Sequence, residues 1–162
     1  MADREPVDVT NLDRYGAATL PWSRPHDLLT AGPLGADVPC FLGTSTPDGR
    51  PHAAGIGVVW YDGDLYFTSG PGTRKSREIA ANPACTVSMR LPGIDLVLEG
   101  EAARVGRRAD AARSGRGDAI VAPFSAPSAG PPPWHLHRFV FSSAVGVSTA
   151  EPFGGTRWRF DR

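Results

Sequence analysis

Cysteine is nearly absent from this chain: Cys40 and Cys85 are the only two, each inside an apolar run of strand-like composition. A disulfide framework is excluded, and no Cys-x-x-Cys pair exists. With no apolar leader, the two read as reduced thiols of a cytoplasmic protein, neither expected to act as a nucleophile. Net charge is absent too. Seventeen basic and seventeen acidic side chains cancel, so no global field draws the protein to nucleic acid or an anionic membrane, and any anion site must be local. No apolar run approaches the about 20 residues that a helical membrane span requires. Also missing are a Walker A loop, a Gly-x-Gly-x-x-Gly dinucleotide turn, a Ser/His/Asp order, a paired-carboxylate motif and any internal repeat. If the protein is an enzyme, a cofactor supplies its chemistry.

What is there centres on residues 69–83, Ser-Gly-Pro-Gly-Thr-Arg-Lys-Ser-Arg-Glu-Ile-Ala-Ala-Asn-Pro. Gly70, Pro71 and Gly72 make a turn, Thr73 is a good N-cap residue, and Asn82-Pro83 stops a helix because the residue before proline is pushed out of the α region. The spacing predicts a helix over residues 74–81. Its first turn then holds Arg74, Lys75 and Arg77 against the positive end of the dipole, at a cost on the order of 0.3–1 kcal/mol each. Free N–H groups, a Thr hydroxyl and clustered cations describe a phosphate site; the competing reading is a solvated basic helix end.

The rest of the chain has β composition. Residues 1–20 are polar, lack apolar periodicity and are expected to form an arm. A short helix is expected from about residue 22 to 31, and residues 21–162 form one domain. Runs 38–46, 51–61 and 64–69 alternate as three strands joined by Pro47-Asp48-Gly49 and Asp62-Gly63, both strong hairpin turns. Residues 84–90, 94–105, 134–148 and 156–160 continue the pattern. Between them, residues 107–133 are a variable insertion rich in Pro, Ala and Gly, with five prolines in residues 122–133. The expected fold is therefore mainly β, a six-stranded antiparallel barrel with a few short helices. The second strand is poor strand chemistry: Ala53, Ala54, Gly55 and Gly57 suggest either a flat group approaching the backbone or a bulge. His135 and His137 share a strand face, without a third ligand that would make a metal site.

The order Pro47-Asp48-Gly49-Arg50-Pro51-His52, a small and apolar strand, residues 62–69, then Thr73-Arg74-Lys75-Ser76-Arg77 and Asn82-Pro83 resembles the pyridoxamine 5'-phosphate oxidase-like family. Residues 95–101 and the Trp-Arg-Phe ending fit the same resemblance. It implies a split β-barrel homodimer that binds FMN or the deazaflavin coenzyme F420. By position, Arg74 and Lys75, with Ser69 and Thr73, would hold the cofactor phosphate. Ala54, Gly55, Ile56, Gly57, Val58 and Val59 would run along the ring, Phe67 and Thr68 would sit beneath the ribityl chain, and Arg157 and Trp158 would reach the partner's site.

The resemblance also has gaps. Family oxidases carry a basic residue where Ala54 stands, a Gln where Asp95 stands, and a C-terminal Arg-x-His-x-Arg that is absent, so oxidation of pyridoxamine phosphate itself is not implied. The expected activity is reduction of a conjugated small-molecule substrate by reduced F420, whose polyanionic tail Arg50 and Arg77 would meet. The alternatives are an FMN-binding oxidase or reductase, and a cofactor-binding protein without turnover.

Overall fold

A computed structural model describes residues 4–35, 37–106 and 135–161. The proline-rich insertion anticipated at 107–133, and Trp134, lie outside them. The described elements are β1 (Asp8–Asn11), α1 (Ser23–Thr30), β2 (Cys40–Ser45), β3 (Pro51–Gly55), β4 (Val59–Tyr61), β5 (Asp64–Ser69), α2 (Arg74–Ala81), β6 (Ala84–Leu91), β7 (Ile94–Arg104), β8 (His135–Ser148) and β9 (Gly155–Arg159). The fold is mainly β with two short helices, as the composition requires.

Every strand pairing is antiparallel, and the strands run in the order β1-β9-β8-β7-β6-β2-β3. The long strand β8 organises the split. One of its edges pairs with β7 from Arg104↔His137 to Ile94↔Ser148. Its other edge takes β5 first, from Ser69↔His135 to Leu65↔Phe139, and then β9, from Ser143↔Arg159 to Val147↔Gly155. Between the two halves lies a bulge, where Glu99 faces Ser143 but Gly100 faces Phe141, leaving Ser142 over. Gly100 is required there: a Cβ on it would stand 2.0 Å from the Val140 carbonyl oxygen.

Two expectations about strands are corrected. Among the described residues the sheet has nine strands and does not close, since β1 and β3 end the path. Residues 51–61 are also not one strand. β3 stops at Gly55, the Ile56 N–H still donates to Cys40 O at 3.0 Å, and β4 then pairs with β5 instead of β2. The Asp62-Gly63 turn forces that hairpin, both residues having positive φ (49° and 86°) as a type I′ turn demands. Within the expected arm, residues 8–11 form β1, against β9.

The core lies between the sheet's inner face and the helices. Leu42, Leu65, Phe67, Val87, Leu98, Phe139, Phe141 and Trp158 are fully or almost fully buried, and each aliphatic or phenyl side chain so buried contributes about 1.5–3 kcal/mol. From the start of α1, Trp22 stacks edge-on against Trp158 (5.4 Å) and Phe160 (4.8 Å), so this helix closes one end. Helix α2 caps the sheet beside β2 and buries Ile79.

Candidate functional site

The link from β5 to α2 is built from hydroxyls. Thr73 is extended (φ −71°, ψ 154°) and its Oγ1 accepts the Ser76 N–H at 3.3 Å, the N-cap bond expected of it. Thr73 Oγ1 donates to Gly70 O (2.9 Å), Ser69 and Thr73 hydroxyls meet at 2.8 Å, and Ser76 Oγ donates to Ser69 Oγ (2.6 Å). One proton per hydroxyl orders the chain Ser76 to Ser69 to Thr73 to Gly70 O. All three hydroxyl protons are used within the turn. The donors left at the helix start are the N–H groups of Arg74 and Lys75, which have no acceptor among the described residues, and the two side chains.

Beneath that start lies a carboxylate. The side chain of Glu78 is only 8% exposed, yet it is ionised and engaged on both oxygens. Oε1 accepts Arg74 Nε at 2.7 Å; Oε2 accepts the Thr44 hydroxyl and stands 3.3 Å from His52 Nδ1. The Thr44 hydroxyl first, then the bond from Arg74, hold the Glu78 carboxyl below its ordinary range. Thr44 and His52 are cross-strand partners on β2 and β3, so one buried acid joins both strands to the cationic helix end. This centre was missed in the sequence, although the four-residue spacing of Arg74 and Glu78 was a visible signal.

The broken strand lies open. Gly55 and Gly57 are exposed with nothing within 4 Å of a Cβ built on either, and neither has a positive φ. No neighbour among the described residues and no backbone strain demands glycine there. Alongside, Ile56 is partly buried and Val58 belongs to the core. Deeper in, Phe67 is fully buried and stacks on the His137 imidazole at 5.1 Å, the planes 5° apart. Burial above all lowers the pKa of His137; a backbone hydrogen bond with His135 opposes it, and the charges of His135, Arg104 and Lys75 add to the lowering.

A family model described as pyridoxamine 5'-phosphate oxidase matches residues 34–145. The chain belongs to the pyridoxamine 5'-phosphate oxidase family. No curated protein matches it. Solved structures share the family fold. A pyridoxamine 5'-phosphate oxidase-related, FMN-binding protein of Nostoc punctiforme is 17% identical with TM-score 0.58, over 90% of this chain and 93% of that one. An FAD-binding protein of Mesorhizobium loti is 18% identical with TM-score 0.61, over 95% and 98%. PhzG of Burkholderia lata, solved with tetrahydrophenazine-1-carboxylic acid, is 17% identical with TM-score 0.54, over 76% of each chain.

Within this family fold the residues singled out from the sequence divide. Ser69, Thr73, Arg74 and Lys75 converge at the start of α2; Ala54, Gly55, Ile56 and Gly57 line the end of β3 and the break after it. Phe67 points into the core, Thr68 on the same strand is half-buried, and Val59 opens β4. Trp158 is fully buried, its indole N–H donating to Leu20 O at 3.2 Å, and Arg157 beside it is half-buried. Burial pushes both cysteine thiols up to about 12, which leaves them without thiolate reactivity. Among the described residues no cluster could hold a metal, and no helix is long and apolar enough to cross a membrane.

Proposed function

We propose that this protein is a flavin-dependent oxidoreductase that holds the phosphate of an FMN-type cofactor at the start of α2. The observation that carries the reading is the set of donors gathered there: two free N–H groups, the Arg74 guanidinium and the Lys75 ammonium, with every nearby hydroxyl proton already used. A phosphate answers all four donors and relieves the repulsion among the cations of the first turn. The open faces of Gly55 and Gly57 fit a flat ring lying on backbone. When bound, a flavin supplies reversible electron exchange with a small organic substrate. This chain's residues hold the phosphate, seat the ring and keep buried Phe67 and His137 behind it.

FMN takes precedence over F420 in this reading because relatives sharing the fold are described as binding FMN and FAD. The reading also makes the working unit a homodimer, supported by the exposed end of β3 and a half-exposed Phe41 beside it. The deciding experiment is a visible spectrum of the purified chain, then titration with FMN, FAD and F420 and light scattering of the loaded protein. FMN bound most tightly, to a dimer, is the expected result. Failure to bind any of the three would overturn the cofactor reading, and tighter F420 binding would restore the deazaflavin.

A further inference from the structure

We propose that Glu78 is a positioning residue: its buried carboxylate fixes the direction in which Arg74 presents its guanidinium to the cofactor phosphate. The inference rests on the flavin reading above and goes beyond it, because Glu78 would act on the ligand only through Arg74.

Glu78 is held from three sides. Thr44 on β2 and His52 on β3 stand against Oε2, and Arg74 Nε donates to Oε1 at 2.7 Å. A guanidinium engaged through Nε keeps its far edge, Nη1 and Nη2, for a second partner, the geometry that receives a phosphate in bidentate fashion. The exposure of the two side chains agrees: Glu78 is 8% exposed, whereas Arg74 is 52% exposed. One end of the pair is anchored in the fold and the other is open. Holding a long side chain in one geometry removes ordering entropy that binding would otherwise have to overcome. For stability alone a well-packed apolar residue serves as well as a buried ion pair, so the charge is explained by what it does to Arg74. An acid this near an anion site would repel the ligand if it were free; here hydrogen bonds from Thr44 and Arg74 offset its charge.

The test compares FMN with riboflavin, which has the same ring and no phosphate, by flavin fluorescence quenching on the full chain and on Glu78→Gln, Glu78→Asp and Arg74→Lys. Each variant's folding is checked by urea denaturation. Positioning through Arg74 predicts that Glu78→Gln weakens FMN about ten-fold while riboflavin moves less than about two-fold. Arg74→Lys keeps the charge without the fork and should lose about as much FMN affinity, which preserves the test if the Glu78 variants do not fold. In an Arg74→Ala background, Glu78→Gln should have no further effect. Equal loss of both flavins, or full additivity with Arg74→Ala, would assign Glu78 to the scaffold and overturn the proposal. A parent chain that binds neither flavin would overturn the cofactor reading and this assignment with it, an outcome visible before any variant is made.

Discussion

Gly146 on β8 lies directly against the Trp158 indole of β9: a Cβ on the glycine would stand 2.8 Å from Cη2 and Cζ3 of the ring and 2.9 Å from Ile94 Cδ1. These contacts bear on the largest fully buried side chain among the described residues, and the indole and Ile94 are both without solvent exposure.

Gly146→Ala should therefore destabilise the fold by about 1–3 kcal/mol, the range for overpacking a filled core. Urea denaturation measures it. A variant as stable as the parent would mean that Trp158 can shift, and that the contact is looser than its geometry.

Loss of either phosphate-site cation should weaken FMN binding. Arg74→Ala and Lys75→Ala are each expected to cost about 1–2 kcal/mol, below the range of a fully buried charged hydrogen bond because Arg74 is half in water. Calorimetric titration reads the change directly. Unchanged affinity in both variants would move the phosphate away from α2.

Bulk on the open strand end separates fold from site. Gly57→Val and Gly55→Val introduce a side chain where nothing lies within 4 Å, so the melting temperature of the cofactor-free protein should hold. Flavin binding should be lost in at least one of them, read by quenching. If both bind as the parent does, the ring lies elsewhere.

Two buried groups contribute to the acid side of the stability profile. Glu78 is lowered in the fold, so its contribution is present above the ordinary glutamate range and is lost as pH falls through its folded value. Thr44→Val, which removes the largest cause, should flatten that loss. His137 is also lowered, from about 6.5. The unfolded chain then binds a proton that the folded one refuses, and stability declines as pH drops below about 6.5. His137→Gln should remove this slope from urea midpoints measured between neutral and mildly acidic pH, and an unaltered slope would assign it to other groups.

Much of the local structure around the candidate site was legible because its determinants are local. Thr73 and Asn82-Pro83 bound α2 where the spacing puts it, and Asp62-Gly63 makes its hairpin by backbone conformation alone. What escaped depends on partners far along the chain. β1 carries four exposed residues and no periodicity, and it exists because β9 offers an edge to it. The break at residues 56–58 follows from a competition between β2 and β5 for the same segment, which alternation along one stretch cannot express. Glu78 reads as one more charge on a polar helix until Thr44 and His52 arrive from β2 and β3. Trp158 reads as a tail aromatic until Gly146 makes room for it.

The pairing of Asp8–Asn11 with β9 sets an order on synthesis. These residues leave the ribosome long before their partner strand, so while residues 12–154 are being made Val7 and Val9 have no edge to join. Arg4 waits likewise: its bond to Asp161 O (3.0 Å) needs residues far along the chain, although its contact with Asp64 (3.2 Å) emerges far earlier. Among the described strands the β1–β9 pairing is thus the one with the longest wait. A peptide bridging residues 4 and 161, with the chain opened at Asp48-Gly49, would turn that long-range pairing into a local one.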